Sequence, residues 1–150
     1  MKIVIVEDDE YKQRQLVTLM ADEFGHHEVV TARSYTSGLR EIRSHHPELV
    51  LLDMSLPNYD GEFSSTDGGK FRSYGGRDVL HQIVRRGILS KVVVVTAYDT
   101  FSSETNATSL EELAAELKNE FSNNFLDVVF YSASNDEWKV SLRRWMEELE

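Results

Sequence analysis

Two apolar runs in this chain of 150 residues end directly on acidic side chains. The run Ile-Val-Ile-Val at residues 3–6 leads into Glu7 and Asp8, and the run Val-Leu-Leu at residues 50–52 leads into Asp53. Short apolar runs of this kind, alternating with amphipathic segments, are typical of parallel strands that helices cover on both faces. The carboxyl ends of such strands meet at one edge of the sheet, where α/β proteins bind their ligands. We therefore expect these carboxylates to lie at a site where they are available for chemistry.

Several carboxylates at one sheet edge predict a bound cation. Neighbouring negative charges raise each other's pKa values unless a cation neutralises them. Magnesium prefers oxygen ligands and retains several waters, so it suits such a site. The sequence thus favours a magnesium site that includes Glu7, Asp8 and Asp53.

The elements that must position these acids alternate along the chain. Strands are predicted near residues 2–6 and 28–32, at the run before Asp53, and at 92–95 and 127–131. Helices are predicted between them, with glycine, proline and capping residues at their ends. The first helix is predicted from Glu10 to Glu23, and the second is capped by Ser34 or Thr36 and closed by Pro47. The third stops at Gly87. The fourth begins with the spacing of a capping box, Ser109-Leu110-Glu111-Glu112, and the fifth begins near Asn135 or Asp136.

The order of these motifs resembles the receiver domain of two-component response regulators. That family has an acidic pair after the first strand, an aspartate after the third and a hydroxyl residue after the fourth. The chain offers Glu7-Asp8, then Asp53 within Asp-Met-Ser-Leu-Pro-Asn-Tyr-Asp-Gly, then Thr96-Ala97. The resemblance implies one receiver domain over residues 1–150, with an α/β, flavodoxin-like (βα)5 fold. Its doubly wound, five-stranded parallel sheet would have the strand order 2-1-3-4-5.

The same resemblance implies a role for each site residue. Asp53 would accept a phosphoryl group from a histidine kinase, a phosphotransfer protein or a small phosphodonor, and Thr96 would turn its hydroxyl toward that group. Asp8 and Asp53 would bind Mg²⁺ directly, Glu7 would act through a water, and Ser55 would contribute its main-chain carbonyl. No enzymatic activity is implied beyond Mg-dependent self-phosphorylation and self-dephosphorylation. The signal would pass to a downstream protein partner.

One family hallmark is missing from the chain. The family has a lysine followed by a proline after the fifth strand, where this chain has Ser132 and Ala133. Lys139 could reach back, Lys70 could swing in, or the domain could signal weakly or without phosphate. The family's switch aromatic has two candidates, Phe130 and Tyr131, and only one of two neighbouring strand residues can point outward.

Two segments exceed the usual length of the family. An inserted loop is predicted at about residues 62–76, which could gate the site, contribute Lys70 or Arg72 to a phosphoryl group, bind a partner, or have no chemical role. The segment between the fourth and fifth strands, about residues 99–124, is also extended. Its apolar stripe fits either an output surface or ordinary core packing.

Composition narrows the class of protein. The formal net charge of -10 disfavours direct contact with nucleic acid. Without cysteine or an apolar run of spanning length, the chain is expected to be cytoplasmic and without a membrane anchor. Because the chain ends after its last helix, no output domain is expected.

Trp138 and Trp145 could anchor a homodimer, although at least one is expected in the core. The five histidines have no zinc-type spacing and are expected at helix ends or in solvent.

Three functions remain open from the sequence. The first is a stand-alone receiver that is phosphorylated on Asp53 and signals through protein contacts. The second is a pseudo-receiver adapter that works without phosphorylation, which the missing lysine and the insertions favour. The third is a hydrolase with a phosphoaspartate intermediate, which is weak because such enzymes place an aspartate where this chain has Ser55.

Overall fold

The computed structural model describes residues 1–61, 71–72, 75–97 and 109–150. Strands and helices alternate through these residues as the sequence pattern predicts. The strands are β1 (Lys2–Val6), β2 (Glu28–Ala32), β3 (Leu49–Leu52), β4 (Leu56–Pro57), β5 (Phe71–Arg72), β6 (Lys91–Thr96) and β7 (Phe125–Phe130). The helices are α1 (Glu10–Glu23), α2 (Tyr35–His45), α3 (Gly75–Arg85), α4 (Leu110–Glu120) and α5 (Glu137–Leu149).

Five of these strands form one parallel sheet in the order β2-β1-β3-β6-β7. Because β4 and β5 form a separate antiparallel pair of two residues each, this order is the predicted 2-1-3-4-5. The strand order reverses between β1 and β3, so the carboxyl ends of these two strands flank the crevice where such sheets bind ligands. Glu7 follows β1 directly, and Asp53 follows β3 directly.

Helices bury both faces of this sheet, as a doubly wound fold requires. On β1, Ile3 and Ile5 face the side covered by α1 and α5, whereas Val4 and Val6 face the side covered by α2, α3 and α4. All four side chains have no exposed surface. Burying an aliphatic side chain of this size stabilises the fold by about 1.5–3 kcal/mol. The continuous apolar runs are therefore explained by burial on two faces.

The helix ends confirm the capping predictions. Ser34 and Ser37 form a reciprocal capping box at the start of α2, and Ser109 accepts a hydrogen bond from the Glu112 main-chain N–H at the start of α4. Asp136 precedes α5 without a side-chain capping bond. These caps satisfy main-chain N–H groups that have no partner within the helix.

The structure changes three predicted boundaries. Helix α3 begins at Gly75, so the last two residues of the predicted 62–76 insertion are helical, and Phe71–Arg72 within it form β5. The last sheet strand runs from Phe125 to Phe130 instead of from residue 127 to 131. The rest of the insertion, including Lys70, and residues 98–108 of the extended segment lie outside the described residues.

Two glycines at the start of α3 let that helix approach the turn after β3. A Cβ atom on Gly76 would lie 2.3 Å from the main-chain oxygen of Asp53, and one on Gly75 would lie 2.5 Å from the Cβ of Leu56. The Gly76 N–H also donates a hydrogen bond of 2.9 Å to the main-chain oxygen of Met54. Because these two glycines have no side chain, the start of α3 can pack directly against the turn that carries Asp53.

The last helix places its two tryptophans differently. Trp138 is buried in the core, as expected of at least one of the pair, whereas Trp145 is partly buried and donates its indole N–H to Asp127 at 2.9 Å.

In the described part of the chain, none of the helices is long and apolar enough to cross a lipid bilayer.

Candidate functional site

A cleft of about 310 Å³ opens at the carboxyl edge of the sheet. Main-chain hydrogen bonds hold the acids at this edge, because Glu7 N donates to Ala32 O at 3.0 Å and Asp53 N donates to Val6 O at 3.1 Å. The structure brings together all four predicted metal ligands. The residues that line the cleft include Glu7, Asp8, Asp53, Ser55, Lys12 and Tyr131.

Glu7 is the most deeply buried acid of the cleft, with 2% of its surface exposed. One carboxylate oxygen, Oε2, accepts the Asp9 main-chain N–H at 2.9 Å. The other, Oε1, forms an ion pair with the Lys12 ammonium at 2.6 Å but has no aligned hydrogen-bond donor among the described residues. Burial raises the pKa of Glu7 to about 7, and the charge of Asp53 adds to the rise while Lys12 opposes it.

The acidic run 7–10 divides into two functions at the start of α1. Asp9 caps this helix, because its Oδ1 accepts the Lys12 main-chain N–H at 3.0 Å. The cap uses Oδ1 of Asp9, and Glu7, Asp8 and Asp9 all line the cleft. The side chain of Lys12 is directed at the acids.

Lys12 is the functional residue that the sequence interpretation missed. Its Nζ lies 2.6 Å from Glu7 Oε1 and 3.4 Å from Asp53 Oδ1, and it donates a hydrogen bond of 2.6 Å to Val95 O. The side chain is only 4% exposed. A sequence signal existed, since Lys12 precedes the core residues Leu16, Leu19 and Met20 at spacings of four, seven and eight. A lysine on the buried stripe of a helix requires an anionic partner.

Asp53, the predicted phosphoacceptor, lies between β1 and β6 at the centre of the site. It is 9% exposed, and its Oδ1 accepts the Met54 main-chain N–H at 2.8 Å. Burial raises the pKa of Asp53, whereas Lys12 and the Met54 N–H favour its charged form. The carboxylate is therefore shielded from bulk water yet lines an open cleft.

The donor set fits a divalent cation. Burial raises the pKa of Asp8 as well, with Asp53 and Asp9 adding to the rise and Arg33 opposing it. Four acids, Glu7, Asp8, Asp9 and Asp53, thus line the cleft with one ammonium group, and Oε1 of Glu7 has no hydrogen-bond donor among the described residues. Carboxylate oxygens are ligands that Mg²⁺ prefers. The residues that would hold it are Asp8, Asp53 and Ser55, with Glu7 behind them.

Thr96 and the two candidate switch aromatics lie at the carboxyl ends of β6 and β7, and of these three residues Tyr131 lines the cleft. Thr96 is fully buried at the end of β6, and its main-chain oxygen accepts the Tyr131 N–H at 2.8 Å, whereas the neighbouring Ala97 lines the cleft. Phe130 is 38% exposed, while Tyr131 is 6% exposed with its ring 5.6 Å from the Lys12 Nζ. Of the two aromatics, Phe130 is the outward one.

Of the two lysines considered for the missing position, Lys139 is not among the residues that line the cleft. Lys139 Nζ lies 3.5 Å from Asp136 Oδ1 and 5.5 Å from the centre of the Trp138 ring. Lys70 lies outside the described residues. Within the described ranges, Lys12 is the lysine that contacts the acids.

A second group of charged residues lies at the opposite, amino edge of the sheet. His27 Nε2 lies 3.2 Å from one oxygen of Glu150, and His26 Nε2 lies 3.6 Å from the other. The His27 side chain is only 4% exposed, and it lies four residues after the end of α1, near a helix end as predicted. Tertiary folding brings this group together, because Glu150 is more than 120 residues from the two histidines in sequence.

Comparison with known proteins gives matches of two kinds. The family model "Response regulator receiver domain" matches residues 3–65. Among its relatives by sequence, the chain is 31% identical to the Detocs response regulatory protein DtcB of Enterobacter cloacae, covering 99% of this chain and 100% of the relative. It is also 32% identical to the uncharacterized protein y4jR of Sinorhizobium fredii, over 95% of both chains.

Solved structures with the same fold are more distant in sequence. A CheY-like response regulator receiver domain protein from Methanospirillum hungatei has a TM-score of 0.63 at 20% identity, covering 99% of this chain and 92% of that chain. The N-terminal domain of an uncharacterized protein (WS1339) from Wolinella succinogenes has a TM-score of 0.66 at 20% identity, covering 98% of this chain and 92% of that chain. At this identity, the likeness establishes the fold alone.

Proposed function

This chain belongs to the family of response regulator receiver domains, and we propose that Asp53 is its phosphoacceptor in a magnesium-dependent reaction. The observation that carries this proposal is the position of Asp53, which shares one cleft with Glu7, Asp8 and Ser55 at the carboxyl edge of the sheet. The receiver would signal through contacts with another protein.

In the proposed reaction, a carboxylate oxygen of Asp53 attacks the phosphorus atom of the donor. A new oxygen–phosphorus bond forms while the bond to the leaving group breaks, and the leaving group departs with the electron pair. With phosphoramidate as donor, the phosphorus–nitrogen bond breaks and the nitrogen takes a proton to leave as ammonia. Lys12 and the Met54 N–H hold Asp53 Oδ1 and favour the charged carboxylate that this attack needs.

Mg²⁺ would be held by Asp8, Asp53 and the main-chain carbonyl of Ser55, with Glu7 acting through a water. When bound, the ion supplies positive charge that neutralises the transferring phosphoryl oxygens. Burial of Asp53 at 9% exposure limits access of water to the reacting oxygen. The chain's own contribution is thus to position, desolvate and partly neutralise the nucleophile.

Histidine kinases or phosphotransfer proteins are the proposed donors, and a downstream protein is the proposed receiver of the signal. Two exposed apolar side chains support an output surface near β7 and α5, since Phe130 is 38% exposed and Val140 is 64% exposed. The match covers 100% of the relative from Enterobacter cloacae, so in that relative the matched receiver region makes up the whole length.

The test is phosphoramidate with Mg²⁺, followed by intact mass measurement. We expect the protein to gain one phosphoryl group, the Asp53→Asn variant to gain none, and the Asp60→Asn variant to behave like the wild type. Asp60 is a suitable control because it lies in the same loop but accepts a hydrogen bond from Ser37 at 2.6 Å. Equal phosphorylation of Asp53→Asn would exclude Asp53 as the acceptor.

A phosphorylation-independent adapter is the second candidate function. One observation favours it, because Lys12 pairs with Glu7 at 2.6 Å and with Asp53 at 3.4 Å and so offsets part of the negative charge of these acids without a metal ion. No mass gain in the wild-type protein at saturating phosphodonor and Mg²⁺ would support this adapter and exclude the phosphoacceptor role.

A further inference from the structure

We propose that Lys12 is a mobile internal cation, which competes with Mg²⁺ for the acids in the resting protein and pairs with the phosphoryl group once Asp53 carries one. The inference rests on the proposed function for its second half only. Its first half, the competition with Mg²⁺, concerns the unphosphorylated protein and is tested separately.

The position of Lys12 is unfavourable for α1 itself. Lys12 lies in the first helical turn, three residues after the Asp9 cap, where the helix dipole disfavours positive charge. Its side chain is 4% exposed, so the ammonium group has also lost its hydration. Neither helix stability nor solvation explains a lysine here. The contacts of its Nζ do.

Those contacts join three strands of the sheet. Nζ pairs with Glu7 after β1 at 2.6 Å and with Asp53 after β3 at 3.4 Å, and it donates to Val95 O in β6 at 2.6 Å. One ammonium group therefore bridges an acid of the cation site, the nucleophile, and the strand that ends at Thr96. No other residue of the site has contacts to all three in the described part of the chain.

Competition with Mg²⁺ follows from the charges. In Glu7, Oε2 accepts the Asp9 N–H and Oε1 is paired with the Lys12 ammonium, so a positive charge already lies beside the acid that would act on Mg²⁺ through a water. A divalent ion beside Asp53 would also repel an ammonium group 3.4 Å from the same carboxylate. Binding of Mg²⁺ must therefore either displace Lys12 or proceed against its charge.

Pairing with the phosphoryl group follows from the same proximity. A phosphoryl group brings a charge of about −1.5 to −2 and three acceptor oxygens to Asp53. The Lys12 ammonium already contacts the oxygen atom Oδ1 of that residue, so it is positioned to donate to the new acceptors. It would then weaken its bonds to Glu7 and Val95 O.

Release of Val95 O would carry the change into the sheet edge. Val95 precedes Thr96, and the Thr96 main-chain oxygen accepts the N–H of Tyr131, which follows the exposed Phe130. Lys12 would thus connect phosphorylation of Asp53 to the carboxyl ends of β6 and β7. This link is a property of the Lys12 side chain and not of the acids.

The decisive variant is Lys12→Gln, which keeps a donor for Val95 O and removes the charge. In the unphosphorylated variant, we expect the affinity for Mg²⁺ to rise about tenfold, measured by titration with MgCl₂ alone. With phosphoramidate and saturating Mg²⁺, we expect the rate of phosphoryl gain by intact mass to fall about tenfold. A purely structural lysine would lower both quantities, so the opposite directions identify the proposed role.

The matched control is Lys139→Gln, because Lys139 pairs with Asp136 outside the cleft. We expect it to leave both quantities unchanged. An unchanged or lower Mg²⁺ affinity in folded Lys12→Gln would overturn the competition. An unchanged phosphorylation rate would overturn the pairing.

A measurement on the wild-type protein covers the case in which Lys12→Gln does not fold. The Nζ resonance of Lys12 in ¹⁵N-labelled protein should shift on addition of MgCl₂ and shift again on addition of beryllofluoride, a phosphoryl mimic. The absence of both shifts would overturn the inference. If wild-type protein gains no phosphoryl group, the proposed function fails, whereas a raised Mg²⁺ affinity in Lys12→Gln would still support the competition.

Discussion

The two edges of the sheet each pair a carboxylate with basic side chains, but they differ in burial. At the carboxyl edge, Glu7 and Lys12 are 2% and 3% exposed, and burial raises the pKa of Glu7. At the amino edge, the side chains of Glu150 and His26 are 36% and 63% exposed, and the hydrogen bond from His27 lowers the pKa of Glu150. The pKa values of the two ion-paired acids are thus shifted in opposite directions, because burial outweighs the ion pair at the carboxyl edge only.

The difference shows how burial changes the charge balance of a cluster of ionisable side chains. At an exposed edge, water solvates each charge and the pair contributes little. At a buried edge, desolvation outweighs the attraction of one lysine, so the acids retain a demand for positive charge. The following predictions test this contrast, from the largest expected effect to the smallest.

The largest effect concerns the pH dependence of stability at the carboxyl edge. Because the pKa of Glu7 is raised from 4.5 to about 7 in the folded state, the folded protein binds this proton more tightly than the unfolded protein. Its contribution to stability is present below pH 4.5 and is lost as the pH rises to about 7. The loss amounts to at most roughly 3 kcal/mol at 1.36 kcal/mol per pKa unit.

Urea unfolding in metal-free buffer between pH 5 and pH 8 measures this effect. The Glu7→Gln variant cannot bind the proton, so its profile should be flatter than that of the wild type. Asp8 and Asp53 face the same cleft and have raised pKa values as well, so the difference between the two proteins is the quantity to compare. Parallel profiles would show that Glu7 does not titrate in this range.

An intermediate effect concerns the turns at the two edges. Gly76→Ala places a Cβ atom 2.3 Å from the Asp53 main-chain oxygen, so the turn under the nucleophile must shift. We expect the free energy of unfolding to fall by about 1–3 kcal/mol, as in other overpacked sites. Slower phosphorylation of Asp53 should accompany this loss.

Gly87→Ala is the matched variant at the amino edge. Its Cβ would meet no atom within 4 Å, but the residue has a φ of +67°, which costs a non-glycine residue about 1–2 kcal/mol. Thermal unfolding should therefore show a loss in both variants, with slower phosphorylation in Gly76→Ala only. A normal rate in Gly76→Ala would show that the turn tolerates the shift.

The smallest effect is expected for Glu150→Gln. Because the pKa of Glu150 is lowered in the folded state, its contribution to stability is present above pH 4.5 and is lost on acidification through the folded value. The sign is opposite to that of Glu7, and the size is small because the group is exposed. Thermal melts at pH 3.5 and pH 6.5 should differ slightly less in Glu150→Gln than in the wild type. A larger change than in Glu7→Gln would contradict the contrast between the edges.

The sequence alone determined the frame of this protein. The apolar runs, the helix caps and the glycines predicted the alternation of elements, because these signals are local or follow from simple periodicity. The five-stranded sheet and its order were implied by the resemblance to receiver domains. The convergence of Glu7, Asp8, Asp53 and Ser55 was also predictable, since the carboxyl ends of parallel strands share one edge.

Only the tertiary structure decided which cation meets these acids. The sequence directed attention to the residues after the last strand and to Lys139 and Lys70, but Lys12 fills the site from α1. The tertiary structure also brings His26 and His27 to Glu150, which lies at the other end of the chain. The physical reason is that a long charged side chain is placed by the packing of its whole helix against the sheet. The spacing of Lys12 from the core residues of α1 indicates burial, but it does not determine which acids the ammonium group meets.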